Sequence, residues 1–179
     1  FTNKAAREMR ERLADLLKRD ANDRFFMPWM GTFHGICVKI LRLKGEAIGV
    51  APNFVIYDED DRRSLIKKIM KELQIDEKSL KPQSVSSTIS NAKNQLLTAE
   101  EFANGANWGF EQKVSEIFLH YEKERNKANA LDFDDLLFET VKLLQQNKEI
   151  REFWQNKFKH ILIDEYQDTN AAQYAIIKM

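Results

Sequence analysis

Two adjacent carboxylates, Asp164 and Glu165, directly follow the short apolar run Ile161-Leu162-Ile163. A run of this kind reads as a strand buried on both faces of a parallel sheet. In open parallel sheets, ligands bind just beyond the carboxyl ends of the strands. A carboxylate placed there offers hard oxygen to Mg²⁺, and a second beside it can orient or deprotonate an attacking water. A metal together with a positioned nucleophile is what phosphoryl transfer to water requires. On this reading Asp164 takes the metal and Glu165 the water. The pair taken alone reads equally well as a strand ending at a solvated turn.

The elements that must position such a pair are mostly helical. Ala6, Met9, Leu13, Leu16 and Leu17 recur at helical spacing over residues 3–19, with Asn3 as N-cap. A shorter helix is expected over 34–44. Phe54-Val55-Ile56-Tyr57 reads as extended, and Asp58 caps a helix that runs to about Leu73. Further helices are expected from Pro82 to about Leu96, after the Thr98/Glu101 capping box, over 110–128, after the cap Asp132, and over 148–157. Two segments read as strands of a parallel sheet, 27–32 and 160–163. The fold class expected is therefore mostly α: an all-helical stretch over 46–157, flanked by α/β pieces at 1–45 and 158–179.

Bulk composition excludes little. The 28 basic and 28 acidic residues balance, although residues 1–50 carry ten Lys/Arg against six acids, a slight bias toward an anionic partner. Cys37 is the single cysteine, which rules out an internal disulfide or a cysteine-based zinc site. Its apolar setting, Ile36-Cys37-Val38, reads as core. No stretch approaches the roughly 18 apolar residues that would cross a bilayer. The start, FTNKAAREMR, has neither an apolar h-region nor an initiating Met, the look of a piece of a longer chain.

The residues after the carboxylate pair sharpen its meaning. The string Asp164-Glu165-Tyr166-Gln167-Asp168-Thr169-Asn170 resembles the Walker B box of the UvrD/Rep/PcrA DNA helicases. Phe1-Thr2-Asn3-Lys4-Ala5-Ala6 resembles that family's first DNA-contact motif, and Gly31-Thr32-Phe33-His34-Gly35 its next. Leu131-Asp132-Phe133-Asp134-Asp135-Leu136 resembles a segment of the helical subdomain inserted in its first motor domain. The four matches follow the family's order along the whole chain.

The resemblance implies a RecA-like motor domain, here in part, carrying its helical insertion. It implies ATP and Mg²⁺ as cofactors, single-stranded DNA and duplex junctions as partners, no membrane, and a cytoplasmic setting. Asp164 would hold the metal, Glu165 would act on the water, and Gln167 would link the nucleotide to the DNA. Phe1, Thr2, Asn3, Lys4, Thr32, Phe33 and His34 would face DNA. An aromatic ring there can stack on a base for about 1–3 kcal/mol, and a helix N-terminus can bind phosphate. The plainer readings are an N-cap and a buried Phe at the chain start, and a packed His34.

One part of a motor is missing. None of the six glycines is followed by lysine, so the chain has no phosphate-binding loop ending in Gly-Lys-Ser/Thr. The chain alone is expected not to hydrolyse ATP. Its strand at 160–163 is expected to present an unpaired edge prone to self-association. Two rivals stand beside this reading. One is a non-catalytic helical module that binds DNA or a protein. The other is a metal-dependent nuclease using Asp132, Asp134 and Asp164. Against the nuclease, Asp132 and Asp135 share a helix face while Asp134 points elsewhere, and acids at a helix start suit its dipole. Trp29, Trp108 and Trp154 read as packing residues.

Overall fold

The computed structural model describes residues 3–107 and 109–179. Among them are nine α-helices: α1 (Asn3–Leu17), α2 (Phe33–Lys44), α3 (Glu59–Glu72), α4 (Pro82–Asn94), α5 (Ala99–Gly105), α6 (Phe110–Lys127), α7 (Phe133–Gln146), α8 (Lys148–Lys157) and α9 (Ala171–Lys178). The capping chemistry sets most of the starts. Asp58, Thr98, Asp132 and Asn170 each accept a backbone N–H in the first turn, and the third helical residue returns the bond to the cap. Thr32 caps α2, its Oγ1 accepting from the Gly35 N–H at 3.2 Å.

Both strands expected for the flanking pieces are absent. Residues 27–32 fold into turns, pinned by side chains rather than by a ladder: Arg10 donates to the carbonyls of Ala21, Asp23 and Met27, and Lys39 Nζ donates to that of Pro28. Residues 160–163 form no strand, and Leu162 is 97% exposed. A strand exists only where a neighbour takes its backbone groups, and neither segment has one among the described residues.

A sheet does form, inside the stretch read as all-helical. Strand β1 (Val55–Ile56) pairs in parallel with β2 (Ala130–Leu131), in the register Val55 to Ala130 and Ile56 to Leu131. The extended reading of 54–57 is therefore right in conformation. Its partner lies 75 residues away, immediately before the cap of α7, where an apolar pair gives no sign of pairing.

Two apolar cores result. The first gathers Cys37, Ile40 and Leu41 of α2, Leu136, Leu137 and Leu143 of α7, Trp154 of α8 and Ala172 of α9. Helix α7 is its centre, packing against α2, α4, α8 and α9. Trp29 joins it through edge contacts with Trp154 (4.9 Å) and Phe158 (5.3 Å), so two of the three tryptophans pack as expected; Trp108 lies outside the described residues. The second core is built from α3, α4, α5 and α6, with Ile66, Ile69, Val85, Ile89, Ile117 and Phe118 at its middle. Cys37 is buried in the first core, and burial pushes its thiol up to about 11, a packing residue rather than a nucleophile.

Candidate functional site

The carboxylate pair sits in a short loop that leads into α9. Asp164, Glu165 and Gln167 are all exposed. Glu165 takes the left-handed backbone conformation (φ 48°), uncommon for a residue with a side chain, and its N–H donates to Asp164 Oδ1 at 3.1 Å. The Gln167 side-chain amide donates to Glu165 Oε2. Glu165 thus contacts both Asp164 and Gln167. Among the described residues no cation pairs with Asp164. Nor does any group of three His, Cys, Asp or Glu side chains there form a metal cage. The donors fit Mg²⁺, which is commonly held by one or two carboxylates with water and substrate phosphate completing the shell.

The residues expected to meet DNA are placed less openly. Asn3 and Lys4 are exposed in the first turn of α1, while Phe1 and Thr2 lie outside the described residues. The Thr32 hydroxyl is engaged in its cap. Phe33 is half-buried against the first core. His34 is also half-buried, edge-on to Phe133 with ring centroids 5.7 Å apart. Burial pushes its imidazole below the ordinary histidine value, against the opposing pull of Asp134.

The acidic trio is structural. Asp132 and Asp135 are buried on one face and share Lys93, whose ammonium lies 2.9 Å from Asp132 Oδ2 and 2.6 Å from Asp135 Oδ1. Glu122 is 2.8 Å from the same nitrogen. Tyr121 donates its hydroxyl to Asp132 at 2.8 Å, and Arg125 stands 3.0 Å from Asp135 Oδ2. Burial alone would lower the Lys93 pKa, but Asp132, Asp135 and Glu122 raise it above the usual lysine value. Burial likewise opposes ionisation of Asp132, but Lys93 and Arg62 carry its carboxyl below the usual range. Asp134 points elsewhere, to Arg62 Nη1 at 2.9 Å and the Asn94 amide at 3.1 Å. Cations and amides already fill the positions at which a nuclease would place metals.

Two features of this region escape a reading by motif. The first is the cations. Lys93, Arg62 and Arg125 are each nearly buried, and each falls on its helix's apolar stripe: Lys93 after Val85 and Ile89, Arg62 before Ile66 and Ile69, Arg125 after Ile117 and Tyr121. A cation at a stripe position signals a buried acid elsewhere in the chain. The second feature is Asn170. Its Oδ1 caps α9 by accepting from the Gln173 N–H, and its Nδ2 donates to Asn94 Oδ1 at 2.6 Å. That bond ties the carboxylate loop to α4 across 76 residues.

The loop sequence and the helical body beside it are those of a segment of a superfamily-one helicase. The chain belongs to the UvrD/Rep helicase family: residues 1–179 match the model of the UvrD/REP helicase N-terminal domain. It is similar to the ATP-dependent DNA helicase PcrA of Bacillus subtilis (strain 168), with 47% identity over 99% of this chain and 24% of that protein. It is also similar to the PcrA proteins of Leuconostoc citreum, at 43% identity over 100% of this chain and 24% of that protein, and of Staphylococcus aureus (strain Mu50 / ATCC 700699), at 42% over the same shares. The chain thus spans about a quarter of the length of the curated relatives it matches. No helix among the described residues is long and apolar enough to cross a membrane.

Proposed function

We propose that this chain is part of the first motor domain of an ATP-dependent DNA helicase, together with that domain's helical insertion. Residues 1–45 and 158–179 belong to the RecA-like motor, and residues 46–157 form the insertion. The whole protein moves along single-stranded DNA in the cytoplasm and opens duplex junctions ahead of it. The observation that carries this reading is the family match over the full chain, and the exposed Asp164, Glu165 and Gln167 side chains support it.

In the reaction, Asp164 would hold Mg²⁺ through a carboxylate oxygen, where the ion would supply neutralisation of phosphate charge. Glu165 would orient the attacking water and receive its proton. Gln167, through its bond to Glu165, ties the water-orienting group to the rest of the loop. Asn3, Lys4, Thr32, Phe33 and His34, with Phe1 and Thr2 ahead of them, face the DNA strand. The chain alone does not hydrolyse ATP, because it has no Gly-Lys-Ser/Thr loop to hold the triphosphate.

The test is Glu165→Gln in the full-length protein. Steady-state ATP hydrolysis falls by about a hundredfold or more, while ATP still binds. Hydrolysis at the parental rate would sink the assignment. Turnover of ATP by the purified 179-residue chain would sink the claim that the chain alone is inactive.

A further inference from the structure

The donors and acceptors around Asn94 can be assigned one by one. Asp134, as a carboxylate, only accepts. It takes Arg62 Nη1 on one oxygen and the Asn94 amide N–H on the other, at 2.9 and 3.1 Å. Asn94 must therefore turn its NH₂ toward Asp134, which leaves its Oδ1 for the Asn170 NH₂ at 2.6 Å. That in turn leaves Asn170 Oδ1 for the Gln173 N–H at the start of α9, at 2.8 Å. The relay has one polarity, from the buried Arg62 cation to the helix that follows the carboxylate loop. Position 94 needs a side chain that donates at one end and accepts at the other.

The same segment touches the second motif. Phe133, beside Asp134, meets the ring of His34, and the Asp134 charge acts on that imidazole. The helical body therefore contacts the expected DNA motif through Phe133 and the carboxylate loop through Asn94, which Asp134 holds in turn.

We propose that Asn94, with Asp134, is a positioning node that couples the DNA-contact motif at Thr32–His34 to the carboxylate loop, so that bound DNA sets the loop for hydrolysis. Asn94 touches neither ATP nor DNA; it acts through Asn170 and Asp134. This inference rests on the motor reading above.

The experiment uses the full-length protein and three variants. Asn94→Ala removes the bonds to Asp134 and Asn170, together with the local amide bond to the Ser90 carbonyl within α4. Asn170→Asp keeps the cap acceptor but removes the donor to Asn94, so it separates the relay from the cap. Glu165→Gln tests the motor reading itself. With oligo-dT as the DNA, Asn94→Ala and Asn170→Asp each lower the DNA-stimulated kcat by about fivefold to tenfold. The double variant shows one deficit rather than the product of two. For Asn94→Ala, the KM for ATP, the DNA-free rate and the melting temperature stay near the parental values. DNA stimulation within about twofold of the parent in both single variants, or multiplicative deficits in the double, overturns the node. Equal loss of DNA-free and DNA-stimulated rates with a lowered melting temperature also overturns it, by showing a merely structural role. Full hydrolysis by Glu165→Gln instead overturns the motor reading, and the coupling inference falls with it.

Discussion

The Lys93 ammonium and the Asp135 carboxylate meet at 2.6 Å, 42 residues apart in sequence and both almost fully buried. The contact joins α4 to α7 where the two apolar cores adjoin. Asp132 and Glu122 complete the ammonium's surroundings, at 2.9 and 2.8 Å. Two charges out of water are costly, so such a cluster adds little net stability while intact and becomes very costly when one member is lost. Lys93→Met leaves Asp132 and Asp135 buried without the cation they share. Stability is expected to fall by about 3–5 kcal/mol, read by urea denaturation followed by far-UV circular dichroism. A loss under about 1 kcal/mol would mean that the ammonium is dispensable.

Gly45 ends α2, and its place leaves no room for a side chain. A Cβ there would stand 3.1 Å from both the Val50 carbonyl oxygen and its Cβ. Backbone cannot move aside as a flexible side chain does. Gly45→Ala is expected to cost about 1–3 kcal/mol. Gly105→Ala meets nothing within 4 Å and is expected to be neutral or slightly stabilising. Thermal melts of the two variants side by side check the contrast, and equal melting temperatures would refute it.

His34 should titrate below the ordinary histidine value, because burial disfavours its charged form. A depressed pKa means that the folded protein binds the proton less readily than the unfolded chain. The contribution to stability is then complete above the unfolded value near 6.5 and is lost as pH falls through the folded value. Opening the ring contact with Phe133→Ala should move the pKa back up. NMR titration of the His34 ring protons reads both effects. A pKa at or above the ordinary value in the parent would contradict the burial argument.

The Cys37 thiol should resist alkylation at neutral pH, since it is buried and pushed up to about 11. Iodoacetamide should label it only after denaturant unfolds the first core. Rapid labelling under native conditions would place Cys37 on an accessible surface instead.

Much of the local structure is legible in the sequence. Helix starts at Asp58, Thr98 and Asp132 were readable because a capping box lies within four consecutive residues. The loop Asp164–Asn170 was readable as a motif, and Asp164, Glu165 and Gln167 do stand together, since contacts between near neighbours follow from local geometry.

What the sequence by itself determined is thus local: helix positions, caps, the carboxylate loop, and membership in a family whose motifs are short strings. What only the tertiary structure decided is long-range. The parallel pairing of Val55–Ile56 with Ala130–Leu131, the failure of 27–32 and 160–163 to become strands, and the burial of Lys93 among carboxylates all depend on which distant backbone or side chain arrives opposite. A strand is not a property of its own residues, because half of its hydrogen bonds belong to a neighbour. A buried charge is not one either, because its cost depends on its partner. The carboxylate pair behaves likewise. The string Asp164–Asn170, not the pair alone, carries the family resemblance, but the bond from Asn170 to Asn94 that anchors the loop to the helical body exists only once the chain has folded.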